Sequence, residues 1–325
     1  MPAIKDNRDC CVMRHTFLCV FFFAATVFCD GDSLYFLFQR STYLENLCMP
    51  GAWWANPAVM AEINAKTALT TSVTPLGNTF SIASVKYFAP LGGKAGWGIG
   101  LLGAGINPDP SLQATSGGAQ YSSHFSFSNP SIQLAGGYNI PSIGSIGVLG
   151  DFGMELLPNF SGGKDNFFTM GLGAGFLTPY WRNYLSLSLC AMSREHFWIQ
   201  QVWNNDGKIG LRLKTPDSLV LGSLEYTVSF ASGTIKYIGN APANYYQVVK
   251  ALASLKMYTV LGLVFGFSQD LEIYSNNGTM LHGGIEMRQS SVYPFFGGYE
   301  IGVSLTHSAL LVHHFWLAYT FASSR

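Results

Sequence analysis

Two histidines stand side by side at His313 and His314, which doubles the commonest metal-ligating residue type. In an extended segment, successive side chains point to opposite faces, so this pair cannot close on one ion. Ser193-Arg194-Glu195-His196 places a hydroxyl, a carboxylate and an imidazole in one expected outer loop, the residue types of nucleophilic hydrolysis. Neither a nucleophile turn nor an orienting acid lies at useful spacing, so the chain reads as a non-enzyme. Gly171-Leu172-Gly173-Ala174-Gly175-Phe176 mimics a dinucleotide-binding loop, but it lies inside an alternating strand and opens no helix. No cofactor and no metal are implied.

What positions these residues is a two-residue beat. Leu311, Phe315, Leu317, Tyr319 and Phe321 fall on alternate positions and close on an aromatic. Phe168, Met170, Leu172, Ala174 and Phe176 alternate with Thr169, Gly171, Gly173 and Gly175 in the same way. So do Ile146, Val148, Phe152, Met154 and Leu156 with Ser145, Gly147, Asp151, Gly153 and Glu155. A soluble sheet normally carries Lys and Glu on its outer face, whereas here the polar face is mostly Gly, Ser and Thr. The pattern predicts an all-β, transmembrane antiparallel β-barrel with lipid outside and a narrow lumen within.

Composition agrees. Charged residues make up 11% of the chain, far below the roughly 25% usual for globular proteins. Gly 36 and 14% aromatics are high and the formal net charge is zero, which excludes a nucleic-acid-seeking basic surface. A helical membrane protein fails on run length: Met257 to Ser268 is too short, and Ile301 to Phe321 is interrupted by Thr306, His307, His313 and His314. In a bilayer, strands satisfy every backbone group only as a closed barrel.

The first residues read as a leader. Arg14 and His15 precede an apolar run from Phe17 to Cys29, suited to a signal-peptide core, and Met13 is an alternative start. This divides the chain into a signal peptide (1–29), an N-terminal plug segment (30–65) and the barrel (66–325). Cys10, Cys11, Cys19 and Cys29 leave with the leader, and Cys48 and Cys190 are expected to stay unpaired.

Turn signals at Pro75-Leu76-Gly77-Asn78, Pro141-Ser142-Ile143-Gly144, Pro216-Asp217 and Asn276-Asn277-Gly278 help divide the barrel. The resulting segments are 66–74, 79–89, 95–106, 121–139, 144–157, 166–177, 183–193, 208–214, 219–230, 233–239, 252–274, 279–288, 297–306 and 309–321, about 14 strands. The longer connections, 107–120, 157–165 and 194–207, fall on alternate turns, as expected of outer loops with a periplasmic N-terminus. Two spacings do not fit: the turn at 231–232 is short for an outer loop, and 240–251 is long for an inner one.

Lys86, Asp151, Glu155, Arg212, Glu225, Lys236, Lys256, Glu286, Arg288 and Glu300 all sit in phase with the polar members of their strands. A Lys or Arg facing lipid at the midplane costs roughly 2–4 kcal/mol, so these charges belong in the lumen. There they form an interior salt-bridge network or line a conducting path. Trp97, Tyr138, Tyr180, Trp181, Tyr184, Tyr293 and Tyr299 suit interfacial girdles. The apolar C-terminal residues Phe315, Leu317, Tyr319 and Phe321 are the expected contact for the outer-membrane barrel assembly machinery.

Ala52-Trp53-Trp54-Ala55-Asn56-Pro57-Ala58-Val59-Met60-Ala61 resembles the "WNPAGLA" signature preceding the first strand in FadL-type transporters of hydrophobic compounds and the related PorV/PorQ-like outer-membrane proteins. Gly283 to Arg288, Gly297-Gly298-Tyr299 and Phe315 to Phe321 are similar to the last strands of the PorV-like group. The resemblance implies a fourteen-stranded barrel whose N-terminal segment folds inward as a plug, with Asn56 and Pro57 at its gate beside Trp53 and Trp54. It implies passage of small hydrophobic molecules such as fatty acids along Phe36, Phe38 and Trp54. The alternative it implies is a non-conducting PorV-like scaffold for secretion-system or surface-protein partners. Val59-Met60 replaces the small Gly-Leu pair of the signature, and the chain is shorter than the FadL transporters.

Overall fold

The computed structural model describes Leu47 and residues 52–63, 68–76, 80–106, 126–127, 130–158, 164–196, 202–232, 245–258, 260–271, 279–288, 294–305 and 311–321. The leader, Phe36, Phe38, Cys48, Lys236, Tyr293 and the segment 233–239 lie outside these residues.

Fifteen strands form one antiparallel sheet. They are β1 (Ala68–Leu76), β2 (Phe80–Leu91), β3 (Ala95–Ile106), the two-residue β4 (Ser126–Phe127), β5 (Ser131–Ile140), β6 (Gly144–Pro158), β7 (Lys164–Leu177), β8 (Leu185–His196), β9 (Val202–Lys214), β10 (Val220–Ser232), β11 (Tyr245–Lys256), β12 (Leu261–Asp270), β13 (Thr279–Met287), β14 (Phe295–Ser304) and β15 (Leu311–Thr320). Each long strand pairs with its sequence neighbours, and β3 pairs with β5 while β4 continues that pairing at Gly105 and Ile106. β1 pairs with β15 from Ala68↔Thr320 to Val73↔Phe315, so the ring of pairings closes. The wall therefore has fourteen strands and no free edge, the condition for backbone to survive in hydrocarbon.

The two-residue beat sets which face sees lipid. On β6, Val148 is 64% exposed on the outer face while the inward Asp151 is 2% exposed. On β7, Leu172 is 58% exposed and Thr169 only 3%. The histidines separate as expected: His313 stacks on Tyr299 with 6.1 Å between ring centroids, while His314 pairs across the ladder with the lumen-facing Glu300. At the short-turn end, Trp97, Tyr138, Trp181 and Tyr184 are exposed and form an aromatic rim, with Tyr87 and Trp97 rings 5.6 Å apart. Tyr180 departs from this girdle and lies under the Arg212 guanidinium at 5.2 Å.

Two strand boundaries need correction. β8 and β9 run to His196 and from Val202, so Ser193-Arg194-Glu195-His196 is wall rather than loop, with Ser193 Oγ donating to Asn205 Oδ1 at 2.8 Å. The segment 252–274 is not one strand. It splits between β11, which ends at Lys256, and β12, which begins at Leu261, and the sequence 257–260 between them carries no Gly or Pro and so leaves no break in an apolar run. β11 begins at Tyr245, inside the stretch 240–251 expected to be a long loop, and this places β11 in the barrel and removes the misfit in loop lengths.

The turns at one end are short and self-bonded. In the turn between β9 and β10, Asp217 accepts from Thr215 Oγ1 at 2.7 Å and from the Leu219 amide at 3.0 Å. The Thr215 hydroxyl first, and then the Leu219 amide, hold its carboxyl below the usual carboxylate range. A carboxylate with a depressed folded pKa contributes stability above its unfolded pKa, and that contribution is lost as pH falls through the folded value. The Leu219 amide should therefore exchange faster with solvent on acidification relative to Asp217→Ala, which lacks the titrating group. Equal pH dependence in the two proteins would refute the assignment.

Candidate functional site

The chain from Ala52 to Ile63 lies inside the ring. Trp53, Asn56, Ala58 and Met60 are each 0% exposed. Proline opens a 3-10 helix over Pro57–Glu62, because its fixed φ suits a first helical position and its missing N–H would be unpaired there anyway. Asn56 caps that helix, its Oδ1 accepting from the Ala58 amide at 2.9 Å. The other end of the same carboxamide reaches the wall. Nδ2 lies 3.1 Å from Phe176 O on β7, and 2.8 Å and 3.0 Å from Ser188 Oγ and Leu189 O on β8. These strands stand about half-way round the barrel from β1, so Asn56 anchors the plug across the lumen rather than turning directly into the first strand.

Wall glycines make room for it. A Cβ on Gly175 would overlap the Asn56 carboxamide, and one on Gly147 would overlap the Pro57–Ala58 peptide. Gly96 and Gly137 face Met60 and Ala61 in the same way. The small inward residues of the alternating strands are thus the seat of the plug.

Above the helix, two indoles share one acceptor. Trp53 Nε1 and Trp54 Nε1 each donate to Gln133 Oε1 at 3.0 Å. Lys86 Nζ lies over the Trp53 ring, 4.5 Å from its centroid. The pair packs with Met60, Phe88, Leu149, Cys190 and Met192 into the core of the barrel. Cys190 is a free thiol there.

Wall charges reach the plug as well. Arg212 forms a fork with Glu62 at 2.9 Å and 2.7 Å. Lys208 Nζ donates to Trp54 O at 2.7 Å, and Glu225 Oε1 accepts from the Leu47 amide at 3.3 Å. Glu225 and Lys250 stand opposite each other on β10 and β11, both buried. Asp151 is inward opposite Gln133. Glu300 is opposite His314. Glu155 is a strand residue of β6 whose side chain lies outside the described set.

Glu286 and Arg288 lie apart from this cluster. Arg288 Nε donates to Glu286 Oε1 at 2.7 Å, and its other nitrogens reach Ser218 O and Ser254 O, tying β11 and β13 to the 215–219 turn. They are a rim clamp. Lys250 escaped sequence reasoning because it lay in a stretch read as loop, and Lys208 stood at the very first residue of the expected strand 208–214, where its phase was not read. Gln133 carried a signal, its place between the outward Ile132 and Leu134. Glu62 carried none.

Among solved structures, the chain is similar to the CymD monoaromatic hydrocarbon channel, with 10% identity, a TM-score of 0.57, and 86% of this chain and 94% of that one covered. It is similar to the toluene transporter TbuX of Ralstonia pickettii, with 13% identity, a TM-score of 0.54, and 84% and 93% covered. It is also similar to a FadL homologue of Pseudomonas aeruginosa, with 10% identity, a TM-score of 0.50, and 84% and 94% covered. No protein-family model and no curated protein sequence matches the chain. A closed fourteen-strand wall with an apolar outer face and a polar lumen, superimposable on these channels, gives the chain the fold of the FadL-type outer-membrane β-barrels.

Proposed function

We propose that this chain is an outer-membrane channel for small hydrophobic molecules, fatty acids among them, in a bacterium with two membranes. The observation that carries the reading is the plug: an apolar segment with two buried tryptophans, held inside a closed barrel by hydrogen bonds to the wall and by packing on its glycine seat. Similar folds belong to proteins described as hydrocarbon channels and toluene transporters. In this reading residues 1–29 are removed on export, 30–65 form the plug, and the residues from 66 onward form the wall. The last strand, through Phe315, Leu317, Tyr319 and Phe321, is what the barrel assembly machinery engages.

Ligand enters at the long-loop end, moves along the apolar side of the plug past Phe36, Phe38 and Trp54, and leaves when the plug shifts at Asn56 and Pro57. The plug has two jobs: it excludes water and it supplies the apolar path. The test is uptake of a fluorescent long-chain fatty acid by liposomes holding the refolded mature chain, with an Asn56→Ala, Pro57→Ala double variant alongside. Uptake by the wild type that falls at least fivefold in the variant supports the gated channel. Absence of uptake by a correctly folded wild type overturns it in favour of a non-conducting scaffold that binds secretion-system or surface-protein partners.

A further inference from the structure

We propose that three neighbouring turns at the short-turn end, 180–184, 214–219 and 256–258, form one docking face for an acidic, partly apolar segment of a periplasmic protein. From the reading above this takes only the orientation of the barrel, with its short turns in the periplasm, and not conduction.

The three turns make one surface because hydrogen bonds lace them together. The Lys214 amide donates to Tyr184 O at 2.8 Å, and the Lys256 amide donates to Leu219 O at 2.7 Å. Arg288, just beyond the end of β13, adds a side-chain tie to Ser218 O on one side and to Ser254 O at 2.8 Å on the other. A face held in this way presents its side chains in a fixed arrangement, so a partner loses little free energy in ordering it.

The side chains on this face are those of a protein interface. Trp181 and Tyr258 are 65% and 68% exposed, and Leu219 and Met257 are exposed beside them. Aromatic residues, Met and Arg are the types enriched where proteins meet. The charge is one-sided. Arg182, Lys214 and Lys256 make no ion pair among the described residues. The carboxylate among them, Asp217, is turned back on its own turn, where it accepts from Thr215 Oγ1 and the Leu219 amide. Glu286 at the edge of the face is held by Arg288. Free cations around exposed aromatic rings attract an acidic partner and steer its approach.

Lipid phosphate is the other anion at this depth, and the phase of the residues argues against it. Lys214 and Lys256 are in phase with the lumen-facing Arg212 and Ser254, and they alternate with Leu213 and Leu255 on the lipid side. These two lysines therefore belong to the mouth of the barrel, while the strand ends that meet lipid here carry Leu185, Leu213, Leu255 and Leu261. The Arg182 guanidinium stays over the Trp181 ring, 4.9 Å from its centroid. Arg212, two residues from Lys214, holds Glu62 at the end of the plug helix. A partner seated on these turns thus covers the exit beside the plug.

The test places the full refolded mature chain in phosphatidylcholine nanodiscs and measures binding of short fluorescein-labelled peptides, one repeating Glu-Glu-Leu and one repeating Lys-Lys-Leu. The acidic peptide should bind and the basic one should not. Lys214→Glu combined with Lys256→Glu should weaken the acidic peptide by about tenfold or more, and raised salt should weaken it in the wild type. Tyr258→Ser, which changes no charge, should weaken it by about fivefold or more. Lys94→Glu, in the turn between β2 and β3 and outside the face, should leave it within about twofold. Absence of acidic-peptide binding by the folded wild type overturns the proposal, and so does an equal loss in Lys94→Glu. Nanodiscs containing phosphatidylglycerol decide against a lipid site: phosphatidylglycerol retained by the wild type in native mass spectrometry and lost with Lys214 and Lys256, with no peptide bound, overturns the proposal as well. Fatty-acid uptake should be unchanged in all these variants, so failure of the docking face leaves the channel reading standing.

Discussion

Gly147→Val should unseat the plug without breaking the wall. Gly147 is an inward position of β6, and a Cβ there would overlap Pro57 C and O and the Ala58 nitrogen. These are backbone atoms inside a capped helix, so no side-chain rotation relieves the clash, and the plug must move as a unit. The ladder itself is spared, because β6 keeps its pairing with β5 and β7 and valine is a good strand former. Two readouts should change together. Leak of a small hydrophilic solute from proteoliposomes should rise about tenfold or more, and the buried Cys190 thiol, packed against Trp54 and Met192, should become open to maleimide. Fatty-acid uptake should fall, because the apolar path leaves with the plug. A variant that folds to a tight barrel with Cys190 still protected would show that the lumen is not closed by this segment.

The two-residue alternation made the wall legible, because a lipid-facing strand tolerates almost no charge and the outward positions of β6 and β7 obey that rule. The plug was legible only through a family signature and an apolar segment with no other cover. Its partners were not. Gln133 and Ser188 are ordinary inward residues of their strands, and only the three-dimensional path of Trp53 and Asn56 gives them a role. The expected count of about 14 agrees with the fourteen-strand wall, although two boundaries around 245–274 were misread. An apolar turn without Gly or Pro looks like strand, while Tyr245 to Ala251, with a charged Lys250 within it, looks like loop until the register with Glu225 is known. Inward charge in a barrel interrupts hydrophobic runs without ending the strand.

Arg212→Met tests whether the wall charges hold the plug or only line the lumen. Arg212 sits on β9 with its side chain 9% exposed, making a two-pronged pair with Glu62, whose side chain is 32% exposed at the end of the plug helix. The same guanidinium lies over Tyr180. Removing one member of a buried pair costs roughly 3–5 kcal/mol, because the remaining charge keeps its desolvation without compensation. The partial exposure of Glu62 puts this pair at or just below the low end of that range, about 3 kcal/mol. Since each 1.4 kcal/mol is about a factor of ten, the population of unseated plug should rise by about two orders of magnitude. With Cys48 replaced by serine, the labelling rate of Cys190 measures that population, and it should increase by about 100-fold in Arg212→Met. The exchange Arg212→Glu with Glu62→Arg should recover part of the protection, since it restores opposite charges across the same gap. Glu62→Gln alone should be milder than Arg212→Met, because the amide still accepts one of the two hydrogen bonds. An unchanged labelling rate in Arg212→Met would mean that Asn56 and the glycine seat hold the plug by themselves, and that the fork of Arg212 and Glu62 contributes nothing to closure.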